Sequence, residues 1–219
     1  MSTTRRACLT LAGVAGGSLL VKAGEPAADC DFLALFAKRR SVRRYKPDPV
    51  PEEHLRRILD AARSAPTSGN QQPWKFLVVR DRVKIDRMKA LCAANAEARL
   101  KDLPAADRET RRKAFEGRLA GYFSAPVYIV VLTDSESEYP SYNRHDGPLA
   151  AGYLMLAARA LGYGTVYITD AIPDEVTREA LAIPKRYERV CITPLGVPDG
   201  WPDSPPKKKL EDFIAYEKL

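Results

Sequence analysis

Residues 65–74 read APTSGNQQPW, a run of turn formers, amides and hydroxyls that ends in a tryptophan. Its prolines and its glycine disfavour regular secondary structure. Three of its side chains can direct donors and acceptors at a polar heterocycle, namely Ser68, Asn70 and Gln72. Trp74 is predicted to anchor the loop in the core through its large apolar area. The run is therefore either a plain connection or a loop that holds a ligand.

Regular elements are predicted on both sides of this loop. From Glu52, apolar residues recur at helical spacing, and residues 75–80 form a short β-rich run. The other predicted helices are 81–100, 105–122, 147–161 and 173–182, and the other strands are 127–133, 164–168 and 189–195. This order predicts one sheet with helices on its faces, in an α/β or α+β domain that spans residues 30–219.

The chain changes character from about residue 197 onward. It contains four prolines, the consecutive lysines 207–209 and a short amphipathic close. Such a segment cannot build a core by itself. It is predicted to be either a loose end or a C-terminal arm that lies across another surface, such as a second subunit.

Residues 1–28 have the layout of a targeting segment. Arg5 and Arg6 precede a weakly apolar, glycine-rich run from Cys8 to Val21. This run of about fourteen residues is shorter than the roughly twenty that a stable membrane anchor needs. The pattern resembles a twin-arginine export signal, although Cys8 stands where that signal usually has a bulky apolar residue. We expect export to the periplasm, against the alternative of an amphipathic or disordered extension on a cytoplasmic protein.

The charge balance allows a polyanionic partner but is equally typical of solvated helix faces. The 219 residues carry 35 basic and 28 acidic side chains, which gives a net charge of +7. Such an excess suits nucleic acid or a phosphorylated small molecule, but most of the charges alternate in sign, as solvated helix faces do. Nucleic-acid binding is disfavoured because no base-stacking aromatic residues are interleaved with the arginines at 39–44.

Motifs for a nucleophile or a metal are missing. The sequence has no GxSxG, HExxH, P-loop or GxGxxG motif, and its two histidines are His54 at a helix start and His145 in a polar loop. The four cysteines show no CxxC spacing, so no metal site or disulfide framework is predicted. If the protein is an enzyme, a cofactor is expected to supply the reactivity.

A basic cluster, KRRSVRR at residues 38–44, is a candidate for holding such a cofactor. Guanidinium groups bind phosphate through two parallel hydrogen bonds, and the serine adds another donor. The alternative for this cluster alone is a solvated basic face. The lysines at 207–209 either approach the same phosphate or are themselves solvated.

Two motifs in this order, RRSVRRY at 39–45 and SAPTSGNQQPWKFLVV at 64–79, resemble the nitroreductase family of flavin-dependent oxidoreductases. Weaker similarity covers GYGTVYI at 162–168 and LGVPDGWP at 195–202. The resemblance implies an α+β fold, a three-layer α/β/α sandwich around a mostly antiparallel central sheet. It also implies a domain-intertwined homodimer that binds flavin mononucleotide (FMN) at its interface.

The resemblance implies roles for both motifs. Four residues of the first would hold FMN, with Arg39 and Ser41 at the phosphate and ribityl chain, Arg43 near the pyrimidine edge of the ring, and Arg40 beside them. The other subunit would supply the residues that line the ring and ribityl chain, which are Pro66, Thr67, Ser68, Asn70 and Gln72.

The resemblance implies two further contacts with FMN. Thr169 and Asp170 would offer backbone N–H groups to the reactive ring nitrogen, although the family often has glycine at one of these positions. Lys207 and Lys209 would close the phosphate where the family commonly has a Lys-x-Arg pair. Lysine lacks the planar fork of arginine, so bidentate phosphate binding is not expected at that point.

The implied reaction has two steps. NADH or NADPH transfers a hydride to the flavin, and an oxidised acceptor such as a nitroaromatic or a quinone then takes the electrons at the same face. Residues 99–122 and the loop 135–144 would shape the acceptor pocket. The alternatives are a flavoprotein of the same fold that performs reductive dehalogenation or flavin breakdown, and a non-enzymatic basic-surface binding protein.

Overall fold

A computed structural model describes residues 32–101 and 103–219. The predicted export signal at residues 1–28 lies outside the described residues. The helices are α1 (Phe32–Lys38), α2 (Glu52–Ala62), α3 (Arg82–Leu100), α4 (Ala105–Tyr122), α5 (Asn143–Ala160) and α6 (Asp174–Leu181). The strands are β1 (Trp74–Val79), β2 (Val127–Asp134), β3 (Gly164–Thr165) and β4 (Tyr187–Gly196). Within the described ranges, no helix is both long and apolar enough to cross a bilayer.

The strands form one antiparallel sheet in the order β1-β2-β4-β3. Central β2 shows why helices cover both faces, because its side chains alternate between two separate cores. Tyr128 and Val130 pack into the core beneath α3, α4 and α6, while Ile129 and Val131 pack into the core beneath α2 and α5. The predicted α+β fold with an α/β/α sandwich around an antiparallel sheet is confirmed.

Local chemistry explains where the long helices begin. The Asp81 carboxylate accepts a hydrogen bond of 2.9 Å from the Val83 N–H and so caps the start of α3. Pro104 directly precedes α4, where a missing N–H costs nothing. The helices predicted at 81–100 and 105–122 are both confirmed.

Two predicted boundaries are wrong. Helix α5 begins at Asn143 rather than at residue 147, because buried Asn143 and Asp146 find hydrogen-bond partners at the end of β2 and on the loop at residues 65–74. The strand predicted at 164–168 is confined to β3, and Ile168 makes only an isolated bridge to Ile192. Both corrections depend on contacts with distant parts of the chain, which local sequence patterns do not encode.

The C-terminal segment leaves the core after Val197 and Pro198. Residues 199–219 are exposed throughout, and their only regular element is a short 3-10 turn at Leu210–Phe213. Large apolar side chains in this segment face solvent, including Leu210, Phe213 and Tyr216. The segment therefore does not form part of the core of its own chain.

Candidate functional site

The basic cluster of residues 38–44, named the basic motif from this point, is fixed along one edge of the sheet. Ser41 forms a parallel bridge with Thr165 of β3, and the Val42 N–H donates to the Thr165 carbonyl at 3.0 Å. Val42 and Tyr45 are buried in the core, whereas Arg43, between them in the sequence, is exposed. Core packing of the two apolar side chains thus directs the intervening cationic side chains outward.

A groove of about 370 Å³ joins the basic motif to the C-terminal segment. Its lining includes the predicted cofactor residues Arg39, Arg40, Ser41, Arg43 and Lys207. Asp203 contributes the one lining carboxylate among the described residues. Lys209 is exposed and does not line this groove. Residues that are far apart in the sequence therefore meet, and their charges leave the groove cationic.

The arginines of this groove have side-chain N–H donors that form no hydrogen bond with the described residues. The Arg39 side chain makes no hydrogen bond or ion pair within residues 32–101 and 103–219. Arg40 donates to the Ala37 carbonyl at 2.5 Å, and Arg43 donates to the Ser41 carbonyl at 3.1 Å and to the Tyr122 hydroxyl at 3.3 Å. None of these contacts neutralises charge, so the groove is suited to an anion.

The loop of residues 65–74, here named the opening loop, is held in a strained conformation by a side chain that the sequence interpretation missed. Asn70 and Gln72 have φ values of 56° and 47°, in the left-handed region that disfavours most side chains. The Gln71 amide donates to the Asp146 carboxylate at 2.7 Å and accepts from the Tyr139 N–H at 2.8 Å. Asp146 also accepts from the Ser68 N–H at 3.2 Å. The polar side chains on either side of Gln71 remain exposed or partly exposed.

Trp74 does not anchor this loop in the core, so that prediction is wrong. It starts edge strand β1, is only partly buried, and belongs to neither hydrophobic core. Its side chain lines a cavity of about 660 Å³ together with basic residues of α2 such as Arg56 and Arg63. The hydrogen bonds of Gln71 and Asp146 position the loop instead.

The loop and the groove lie at opposite ends of α5. At its first turn, Asp146 holds Gln71, and at its last turn Arg159 donates to the Lys38 carbonyl at 3.2 Å and stacks on Trp201 at 3.8 Å. At a rise of about 1.5 Å per residue, Asp146 and Arg159 are roughly 20 Å apart along the helix. One chain therefore does not bring its loop to its own groove.

Thr169 and Asp170 lie on an exposed turn whose backbone carbonyls accept hydrogen bonds from the buried side chain of Arg189. The guanidinium donates to the carbonyls of Ile172, at 2.7 Å, and Thr169, and to the Thr177 hydroxyl at 3.0 Å. Its Nε lies 3.2 Å from the Asp174 carboxylate. Burial lowers the pKa of Arg189, while Asp174 opposes that effect.

This anchoring leaves donors on the turn available. The backbone N–H groups of Thr169 and Asp170 donate no hydrogen bond within the part of the chain that the structure describes. The sequence interpretation named both residues but missed Arg189. The only sequence signal for it was an arginine at the start of an otherwise apolar strand run, RVCITPLG.

A second cavity, of about 530 Å³, lies between α3, α4 and this turn. Its lining includes Asp170, Phe115 and Tyr122, so the predicted segment 99–122 does border a pocket. The other predicted segment, residues 135–144, lies instead against the opening loop, through Tyr139 and Gln71.

Cysteine or metal chemistry has no support in this region. Burial raises the pKa of the Cys92 and Cys191 thiols to about 12, so both stay protonated near neutral pH. Among the residues the structure describes, no group of three or more histidine, cysteine, aspartate or glutamate side chains is placed to hold a metal ion.

The α+β fold and the cationic groove define a class of protein whose site is suited to a small anion such as a phosphate. Residues 36–197 match the family described as the nitroreductase family. This match covers more than half of the chain, and the protein therefore belongs to the nitroreductase family.

Relatives within the family carry different names. The chain is 34% identical to an iodotyrosine deiodinase of Thermotoga neapolitana, over 83% of this chain and 94% of the relative. It is 32% identical to an NADH dehydrogenase of Thermus thermophilus, over 81% and 91%. Among solved structures, an iodotyrosine deiodinase bound to FMN and 3-iodo-L-tyrosine has a TM-score of 0.68 and 28% identity, over 85% of this chain and 98% of the other.

Proposed function

We propose that the protein is an FMN-dependent oxidoreductase that passes electrons from NADH or NADPH to a small acceptor such as a nitroaromatic or a quinone. One observation carries the proposal. The groove gathers Arg39, Ser41, Arg43 and Lys207 from two distant parts of the chain, and the two arginines and the lysine form no ion pair within the described residues. Family membership indicates which phosphorylated cofactor such a groove serves.

The residues present fit the phosphorylated end of FMN. Arg39 offers an unengaged fork, Ser41 a hydroxyl and Lys207 a flexible ammonium, which together match the tetrahedral oxygens of a phosphate. The volume of about 370 Å³ is near the lower limit for ligand pockets, so the rest of the cofactor needs additional surface. The turn at Thr169 and Asp170 offers unengaged backbone N–H groups, which suit the polar edge of the ring.

When bound, FMN supplies the redox chemistry, accepting a hydride from the nicotinamide and reducing the acceptor. The protein's own part is binding and electrostatics. Arg43, which donates to the Tyr122 hydroxyl, would place a positive charge beside the flavin, where it would stabilise negative charge that develops on the ring. No protein side chain is required as an acid or a base in this scheme.

We further propose that the active form is a homodimer in which each opening loop covers the FMN of the other subunit. This proposal rests on the separation of loop and groove along α5, which a second copy of the chain would overcome. The exposed C-terminal segment supports it, since Leu210, Phe213 and Tyr216 would be solvent-exposed in a monomer. An arm that wraps the neighbouring subunit would bury them.

The first expected result concerns the isolated protein. Its spectrum should show flavin bands, the small molecule that copurifies should have the mass of FMN, and sedimentation should give two chains per particle. NADH or NADPH oxidation should depend on a nitroaromatic or a quinone. A protein without flavin bands after addition of FMN would contradict the proposal and favour a basic-surface binding protein. A flavin-loaded monomer would contradict only the dimer.

A second expected result tests which arginine of the basic motif binds the FMN phosphate. Arg39→Ala should weaken FMN binding about 10- to 100-fold, because it removes charge-assisted hydrogen bonds to the phosphate. Arg44→Ala is the control, since Arg44 carries the same charge in the same motif but is exposed and does not line the groove. Both dissociation constants can be measured by flavin fluorescence. Equal losses in the two variants would contradict the assignment.

Reductive dehalogenation is a second candidate, favoured by the similarity to iodotyrosine deiodinases. Iodide release from 3-iodo-L-tyrosine by the reduced protein would support it. Turnover of nitroaromatics or quinones without iodide release would support the first candidate.

We also propose export through the twin-arginine route, since Arg5 and Arg6 precede the short apolar run. That route carries folded proteins, so FMN could be inserted beforehand. A reporter fused to residues 1–30 should reach the periplasm, and export that persists after both arginines are changed to lysine would contradict this proposal.

A further inference from the structure

The cavity between α3 and α4 is lined by a pattern that the proposed reaction does not require. Along α4, Arg111, Phe115, Arg118 and Tyr122 recur at intervals of three or four residues and therefore share one helical face. Arg99 of α3 also lines the cavity. The lining also contains apolar residues such as Leu100, Leu103 and Ala171, so the cavity combines an apolar wall with a row of exposed arginines.

The three lining arginines have no counter-charge. Arg99, Arg111 and Arg118 form no ion pair or side-chain hydrogen bond within the described residues. Their neighbour Arg112 shows that carboxylates are within reach of α4, because it pairs with Glu97 at 2.7 Å and with Glu109. The three unpaired arginines line the cavity and are also exposed to solvent, whereas the paired Arg112 is partly buried.

The net charge of the cavity is positive. Three arginines line it, and Asp170 is the one lining carboxylate among the described residues. An anion that enters this space would thus meet more positive than negative side chains. Guanidinium groups bind a carboxylate through two parallel hydrogen bonds, which gives direction as well as charge.

The cavity also contains flat apolar surface and adjoins the proposed FMN site. Phe115 and Tyr122 present aromatic rings, and Arg118 lies 6.0 Å above the Phe115 ring. Tyr122 connects the two sites directly, because its hydroxyl accepts a hydrogen bond from Arg43. Asp170 lies on the turn proposed to contact the flavin ring. A molecule in this cavity would therefore be next to the redox cofactor.

Residues 99–122 are already expected to shape the acceptor pocket, and we propose that this cavity selects aromatic acceptors that carry a negative charge, such as a carboxylate. The aromatic body would stack on Phe115 and Tyr122, and the carboxylate would be bound by Arg99, Arg111 and Arg118. This inference rests on the proposed function, which supplies the electrons for the reaction. The arginines add binding and orientation only.

Two small molecules of nearly the same shape but different charge test whether the cavity recognises charge. 4-Nitrobenzoate and 4-nitrobenzamide share the ring and the nitro group, but only the first is charged at neutral pH. Titration calorimetry of the protein as isolated should show that the benzoate binds about tenfold more tightly at low salt. The preference should shrink as salt rises, since the screening length falls to about 10 Å at 0.1 M.

Variants of the three arginines test whether these side chains cause the preference for the benzoate over the benzamide. In the triple variant Arg99→Gln, Arg111→Gln, Arg118→Gln, the dissociation constant of the benzoate should rise about tenfold. That of the benzamide should change less than about twofold. Lys113→Gln is the matched control, since Lys113 is an exposed α4 cation that pairs with Glu109 and does not line the cavity. It should keep the full preference.

The possible outcomes are distinguishable. A preference that is lost in the triple variant and kept in Lys113→Gln supports the inference. Equal affinity of both probes for the unaltered protein overturns it, as does a preference that survives in a triple variant with a normal melting curve. If FMN binds and a neutral quinone is reduced without preference for the charged probe, only this inference fails. If FMN does not bind, the proposed function fails, and calorimetry still reports on the cavity.

Discussion

Arg189→Met is expected to lower the free energy of unfolding by about 3 kcal/mol, because it leaves several partly buried polar groups without partners. Arg189 is a cation with only 6% of its side chain exposed. It satisfies the carbonyls of Ile172 and Thr169 and lies beside the Asp174 carboxylate. Methionine keeps much of the volume, so the loss reports on hydrogen bonds and charge rather than on a cavity.

Urea denaturation, followed by circular dichroism, measures this loss. Arg82→Met is the matched control, since Arg82 makes a bidentate pair with Asp86 on the exposed surface. Removal of that exposed pair should cost only about 0.5 kcal/mol. FMN binding provides a second readout, because the turn that contains Thr169 would lose its support and its N–H groups would no longer be held in place. Equal losses of stability in the two variants would contradict the anchoring role.

The contrast between β2 and the opening loop shows what the sequence could predict. β2 is a continuous β-branched run, so its strand character and central position follow from local pattern alone. The loop was recognised from its prolines and glycine, but its conformation depends on Gln71 and Asp146, which are separated by 75 positions. Contacts over such a distance leave no periodic signal.

The same reasoning applies to the candidate site. Arg39 and Arg43 could be named in advance because four arginines and a serine in one short span are an unusual arrangement. Arg189 could not, because a single arginine in a strand becomes informative only when its burial and its carbonyl partners are known. Trp74 was misassigned for a related reason, since its burial depends on whether β1 is a central or an edge strand.

Gly121→Ala is expected to destabilise the protein by about 2 kcal/mol and to weaken FMN binding. A Cβ atom at Gly121 would lie 2.6 Å from the Arg43 carbonyl oxygen, a backbone atom that cannot rotate away. Either α4 or the basic motif would have to move. The two are also joined through Ser124, whose hydroxyl accepts from the Tyr45 N–H at 2.9 Å and donates to the Gly121 carbonyl at 2.7 Å.

Gly117, also on α4, provides the matched control. A Cβ atom at Gly117 would meet no atom within 4 Å, so Gly117→Ala should stabilise the protein by about 0.5 to 1 kcal/mol through helix propensity. The two substitutions are chemically identical and one helical turn apart, yet they should shift the urea midpoint in opposite directions. Shifts of the same sign would contradict the close approach of α4 to Arg43. Because Arg43 lines the groove and Tyr122 lines the second cavity, that approach couples the position of α4 to both proposed binding sites.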